Sequence, residues 1–195
     1  MAQLFDASPA NNLPSVPNYN VCPTTQIHVV TGGDARHLRA MRWGFLPVWY
    51  KAPNDGPLLI NARAETIAEK PSFKKAVRET RCIIPVSGFY ESTRLKDDKK
   101  QTCYIFRRDA KPLAFAGVWK EWHAGEDPIQ TFSVVTSGAN SPISEIHHRM
   151  PVILEEPDWP LWLGEAGHGA ATLMKPAADD VLQFHRVDPA VNSNR

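Results

Sequence analysis

The sequence predicts an α+β fold built on a mixed, largely antiparallel sheet with short helices at its flanks. Two features of the chain predict it. Short apolar runs recur between Gly-, Pro- and Asn/Asp-containing turns, as over 27–31, 38–43, 81–86, 113–119 and 131–136, which is the pattern of strands. Helical stretches are few and short, and carry Pro near their starts or middles (Pro71, Pro142, Pro157). Strands therefore do not alternate with long helices, as a doubly wound parallel sheet would require.

In chain order, residues 1–24 are rich in Pro and Asn, with Pro9, Pro14, Pro17 and Pro23, and favour extended or turn conformations over a long helix. Strands over 27–31 and 38–43 are joined by a Gly32-Gly33-Asp34 turn. A loop over 47–57 carries Trp49, Lys51 and Asn54-Asp55-Gly56, and 58–61 is a short strand. Residues 65–79 read as helical, with Pro71 splitting the segment or opening a second helix in its first turn. Strands follow over 81–86 and 89–92, then a charged turn over 96–100. Residues 102–107 and 113–119 are expected to form a hairpin about Asp109-Ala110-Lys111, and 131–136 alternates polar and apolar residues as a further strand. One helical turn is expected over 141–146 and a strand over 152–154. Short helices are expected over 157–163, amphipathic through Trp159 and Trp162, and over 177–184.

At 195 residues the chain fits one domain, 1–195, with room for a substantial core. Hydrophobic residues make up 43% and charged residues 22%, an ordinary globular composition. The formal net charge of +1, from 22 Lys+Arg against 21 Asp+Glu, excludes nucleic-acid capture by a global field and leaves only a local basic cleft. No apolar run reaches membrane-spanning length, and no charged n-region with an apolar h-region opens the chain. Three cysteines, Cys22, Cys82 and Cys103, show no CxxC spacing. A reducing cytoplasm, with no membrane partner, is the expected location.

Three runs place polar chemistry at the ends of apolar strands: Asn61-Ala62-Arg63-Ala64-Glu65-Thr66, Gly88-Phe89-Tyr90-Glu91 and His147-His148-Arg149-Met150-Pro151. Such groups are costly to bury unpaired, and sequence-distant polar groups placed this way often converge on a site. In extended geometry Asn61 and Arg63 share a face, and an amide beside a guanidinium suits a phosphodiester. They could equally be a helix cap and a structural ion-pair partner. Glu91, flanked by aromatics, is a candidate for a raised pKa and acid/base work, or a solvated strand end. His147 and His148 face opposite ways if the segment is extended, so one of them enters a given site, with Arg149 on the face of His147. A surface His pair at a loop end is the plainer alternative.

No metal site is expected, because the remaining histidines show no ligand spacing and no Cys pair accompanies them. Most of the six Trp read as core or rim. Trp43, before Gly44 and a Pro-bounded loop, is the best candidate for stacking on an unpaired base. Cys82 reads as structural, whereas Cys22 lies in a loop-like stretch and could be exposed.

Together these runs resemble the SRAP family (SOS-response-associated peptidase), whose members process abasic sites in single-stranded DNA. The resemblance rests on Pro17-Asn18-Tyr19-Asn20 through Gln26, on 41–47, on 59–66, on 81–85, on Gly88-Phe89-Tyr90-Glu91, on 113–117 and on 146–151, in family order. It implies a curved sheet forming a pseudo-barrel with a positive groove for single-stranded DNA, acting as a monomer without a cofactor. It also implies a covalent DNA–protein cross-link. The α-amine of an N-terminal Cys condenses with the abasic-site aldehyde, and its thiol closes a thiazolidine; autopeptidase activity accompanies this. By the same resemblance Asn61 polarises the reacting centre, Glu91 moves protons and His147 assists ring opening. Arg63 and Arg149, with Thr136, hold phosphates near the lesion.

The chain departs from the family pattern at its opening, Met1-Ala2-Gln3-Leu4 in place of Met-Cys-Gly-Arg, and at Ser92, where the family often has an aromatic. An N-terminal catalytic segment is thus expected to be missing, by truncation or natural loss. The chain as given is expected to be inactive for cross-linking, since an Ala2 amine could form an imine but no five-membered ring. Two alternatives remain: a non-catalytic single-stranded DNA-binding module, and a peptide hydrolase using Cys22 with His147 and Glu91.

Overall fold

A computed structural model describes residues 2–94, 99–124 and 127–192. The chain forms a large mixed sheet of eight strands and a small antiparallel sheet of three, with short helices between and around them. The large sheet uses β1 (Ala7–Pro9), β2 (Gln26–Thr31), β3 (Arg36–Trp43), β4 (Asn61–Arg63), β5 (Arg81–Val86), β8 (Leu113–Trp122), β9 (Ile129–Gly138) and β10 (Arg149–Pro151). The small sheet is β6 (Phe89–Arg94), β7 (Lys100–Arg107) and β11 (Leu182–Arg186) in the order β11-β7-β6.

Within the large sheet β3, β2, β5, β8 and β9 pair antiparallel in succession, and β9 then meets β3 again. An odd number of strands cannot close a ring with every neighbour antiparallel, so one seam must be parallel. That seam is β3–β9, held at Arg42↔Thr131 and Trp43↔Phe132. It is too short for a regular barrel, and the ring is the pseudo-barrel expected from the sequence. β4 adds parallel to β9, with Asn61↔Val134 and Arg63↔Thr136, and β10 adds antiparallel along its C-terminal half, with Pro151↔Thr136.

Strand alternation splits the core in two. Val30, Ile83, Ala114, Ala116 and Val135 face one cluster, together with Phe73, Trp159 and Trp162. Their neighbours Val29, Ile84, Phe115 and Val134 face the other, together with Cys103, Ile105 and Leu182 of the small sheet. Period-two side chains on strands buried on both faces produce this arrangement. Gly117 sits where Ile84 and the Cys82 Sγ converge, leaving no room for a Cβ. Phe89 meets Phe115 edge-on at 5.5 Å and fixes the small sheet against the large one.

Several elements differ from the sequence expectation. Residues 102–107 and 113–119 are not a hairpin: β7 pairs with β6 and β11, whereas β8 pairs with β5 and β9. The run from Leu113 to Val118 is buried throughout, and a strand without a polar face needs a central place in a covered sheet. The turn between them is bent by Ala110 at φ 59° and by the Asp109 carboxylate, which accepts from Arg107 and from the Lys111 N–H. Residues 65–79 are mostly separate turns, and only α1 (Ala76–Glu79) is a regular helix. Pro71 lacks the N–H that would continue the ladder there.

The segment 177–184 is not a helix; β11 begins at Leu182, whose side chain enters the core. The ladder expected over 58–61 starts only at Asn61, Leu59 bridging Phe45, and the one expected over 152–154 lies at Arg149–Pro151, Ile153 bridging Phe115. The charged turn over 96–100 falls partly on 95–98, outside the described residues; Lys100 opens β7. The turns expected over 141–146 and 157–163 contain α2 (Ser141–Ser144) and α3 (Trp159–Leu163). α3 buries both indoles, with Trp162 Nε1 donating to Cys82 O at 2.8 Å and Trp159 stacked on Phe5 at 4.3 Å.

Candidate active site

Glu91 owes its place to the alternation of β6. Phe89 and Glu91 point toward the large sheet and Tyr90 points away, with Glu91 paired in register to core-facing Cys103. Its side chain is 31% exposed. Burial pushes the Glu91 carboxyl above its ordinary value, and the opposing charges of His147 and His148 offset only part of that.

His147 arrives from the other side, on the connection between α2 and β10. The Asn140 side chain caps α2 by accepting from Ile143 N at 3.2 Å and donates to Ala177 O at 3.1 Å. The turn then ends with His147 N donating to Ile143 O at 2.9 Å. His147 Nδ1 lies 3.0 Å from Arg149 O and 3.1 Å from Arg149 N, so either tautomer finds a backbone partner there. Glu91 Oε1 is 3.9 Å from the same Nδ1. That separation is too long for a direct hydrogen bond and short enough for Coulomb attraction or one bridging oxygen. His147 and His148 do not face opposite ways: the segment is bent rather than extended, and their rings lie 4.4 Å apart.

Arg149 is the hub beneath this pair. Nη1 and Nη2 donate to the two oxygens of Glu65 at 2.8 and 3.0 Å, and Nη2 also reaches Thr136 O at 2.6 Å and Thr136 Oγ1 at 3.2 Å. These bonds hold the Glu65 carboxyl down to about 2. The Arg149 Nε is buried with no partner among the described residues. Arg149 and Thr136, both expected beside phosphates, lie in contact, and Glu65 and Thr136 between them take up the two terminal nitrogens of the guanidinium. Sequence reasoning did not single out Glu65, which lies in the turn that follows β4; a carboxylate two residues after Arg63 in the same polar run was the available signal.

Asn61 and Arg63 are both exposed on β4, separated by the buried Ala62. They share a face, two residues or about 6.6 Å apart along the strand. Arg63 stands in register with Thr136, which connects it through Arg149 to His147. Among the described residues neither side chain forms a hydrogen bond to Glu91 or His147, so the direct convergence is Glu91 with His147. Arg63 has no ion-pair partner among the described residues, and its guanidinium is available to an anion.

Trp43 is half-buried, and its Nε1 donates to Ile60 O at 3.0 Å, which braces the approach to β4. The more exposed apolar groups nearby are Val48 at 73%, Trp49 at 52% and Leu58 at 47%. Cys22 lies in a loop pinned to the end of β3 by Thr24 N to Trp43 O at 2.7 Å, and its thiol donates to Asn20 O at 3.7 Å.

The sequence profile of the family described as SOS response associated peptidase (SRAP) matches residues 1–194. The chain is 37% identical over 182 residues to the abasic site processing protein YoqW of Bacillus subtilis (strain 168), covering 91% of this chain and 81% of that one. It is 32% identical over 182 residues to the abasic site processing protein YedK of Escherichia coli (strain K12), covering 90% and 79%. Among solved structures, a protein from Bordetella bronchiseptica superposes with a TM-score of 0.80 at 25% identity, covering 96% of this chain and 94% of that one.

Proposed function

The chain belongs to the SOS response associated peptidase family, and from that premise we propose that it processes abasic sites in single-stranded DNA. The observation that carries the reading is the half-buried Glu91 carboxyl, held above its ordinary value by burial and lying 3.9 Å from His147 Nδ1. Two relatives named as abasic site processing proteins support the substrate class.

The chemistry proposed is condensation of an amine with the ring-opened sugar aldehyde. The amine adds to the carbonyl carbon, the carbonyl oxygen takes a proton, and loss of water leaves an imine; a neighbouring thiol then adds across the C=N bond to close a thiazolidine. Each step moves a proton, and a carboxyl with a raised pKa can deliver one at the carbinolamine and take one back. His147 serves the sugar ring oxygen, its Nδ1 anchored on the Arg149 backbone and Nε2 left for the substrate. Asn61 supplies an amide to the reacting oxygens, and Arg63 a cation to the neighbouring phosphate. Arg149 and Thr136 shape the same surface, and Arg149 acts chiefly by holding Glu65 and the His147 segment in place. The exposed Trp49 is a better stacking surface for a flanking base than the half-buried Trp43.

The test supplies an N-terminal thiol. A chain opening Met-Cys-Gly-Arg ahead of these residues is incubated with single-stranded DNA carrying one abasic site and read on a denaturing gel. A covalent species that disappears with Glu91→Gln and His147→Ala is expected. Affinity for the same DNA without any covalent species, at every opening, would favour a non-catalytic binding module instead.

A further inference from the structure

The outer face of the small sheet carries a row of rings that this chemistry does not use. In β6, β7 and β11 the residues Cys103, Ile105 and Leu182 turn into the core, so their alternates turn out. Tyr90 and His185 stand in register on either side of Tyr104. Ring centroids are 5.2 Å apart for Tyr90–Tyr104, 5.8 Å for Tyr104–His185 and 5.5 Å for Phe106–His185. Tyr104 and Phe106 lie 5.4 Å apart and almost parallel, at 18°. Gly88 is part of this construction: a Cβ there would lie 2.5 Å from Tyr104 Cζ, so the glycine lets the ring lie down on the sheet. Tyr90 is 36% exposed and His185 is exposed.

This face also carries cations. Arg94 and Lys100 pair in register at one end of it, and strand alternation puts no carboxylate on the face among the described residues of the three strands. Aromatic rings partly exposed on a sheet face that also carries cations suit unpaired bases with a phosphate backbone beside them. Paired bases hide their faces in the stack, so a duplex does not fit the same surface.

We propose that this face is a stacking platform for unpaired bases of the single strand whose lesion lies at Glu91. The inference rests on the DNA reading above. Continuity supports it: Tyr90 and Glu91 are consecutive residues on opposite faces of β6, the edge strand of its sheet. A strand leaving Glu91 reaches the rings by turning around that one edge. The platform lengthens the bound segment and adds sequence-tolerant affinity without touching the chemistry.

The experiment uses the full chain and intact oligothymidylates of two lengths, one that fills only the cleft and one that reaches both surfaces. Tyr90→Ser and His185→Ala, both at solvent-facing positions, are expected to weaken the long oligonucleotide roughly five- to 150-fold per stacked base lost and to leave the short one unchanged. Arg63→Ala is expected to weaken both. With 5-iododeoxyuridine in the long strand, photo-cross-links should map to Tyr90, Tyr104, Phe106 or His185. If Arg63→Ala weakens both lengths while the ring variants change neither and no cross-link maps to the rings, the platform is overturned and the cleft stands. Equal weakening of both lengths by Tyr90→Ser would assign Tyr90 to the cleft and overturn a separate platform. Absence of single-strand binding by the unaltered chain would remove the DNA reading and the platform together.

Discussion

At the scale of residues, Glu91 and Glu65 are two carboxylates a short chain of contacts apart with opposite electrostatics. Burial raises the Glu91 pKa from 4.5, so between pH 4.5 and its folded value the native state holds more protons than the unfolded chain. Stability therefore falls as pH rises through that window, and the penalty persists above it. Glu91→Gln is expected to raise the melting temperature at neutral pH, with the difference vanishing below pH 4.5, while lesion chemistry is lost. Glu65 is the reverse case: Arg149 lowers its pKa from 4.5 to about 2, so its stabilisation is present above pH 4.5 and is lost as pH falls through about 2. Because the Glu65 side chain is 53% exposed, solvent screens much of that effect. Arg149→Lys keeps the charge but loses the two-pronged grip on Glu65 and the bonds to Thr136. It is expected to cost about 1–2 kcal/mol by urea titration. Arg63→Ala leaves stability unchanged and lowers the slope of log affinity against log salt by about 0.7, one phosphate contact on a single strand.

At the scale of elements, the site depends on short devices rather than long helices. Asn140 caps a helix of four residues and ties it to Ala177, and His147 follows directly from that turn. Asn140→Ala is expected to destabilise the fold by about 1 kcal/mol and to reduce lesion chemistry through His147, measured by calorimetry beside adduct yield. Gly117 admits Ile84 and Cys82 between the strands, and Gly117→Ala places its Cβ 2.9 Å from the Cys82 Sγ. Overpacking there is expected to cost about 1–3 kcal/mol. The strands that carry the site were legible because period-two alternation and turn residues are local signals, as at 27–31 and 81–86. The partner of each strand was not. Nothing within 102–119 states that β7 and β8 join different sheets; that choice is made by the apolar demand of both faces of β8, which only distant β5 and β9 can meet. The segment 177–184 failed for a similar reason, since burial of Leu182 against β7 overrides local helical preference.

At the scale of the whole molecule, a five-strand ring with one parallel seam brings three remote runs toward one edge. β4 and β10 both attach to β9 near Thr136, and the small sheet, fixed through Phe89 and Phe115, brings Glu91 against the segment entering β10. That Asn61, Glu91 and His147 are polar groups beside apolar strands is visible in the sequence, but their spacing is not, because it is set by the closure of the ring. Neither is the engagement of Arg149 with Glu65, a contact across 84 residues of chain. The central claim is that Glu91, raised by burial beside His147, handles the protons of the lesion chemistry. The most direct measurement is the pH dependence of the rate of adduct formation on abasic single-stranded DNA, using the chain opening Met-Cys-Gly-Arg, with and without Glu91→Gln. The account predicts an inflection above pH 4.5 that disappears, together with most of the rate, in the variant. Superimposable profiles for the two proteins would contradict it.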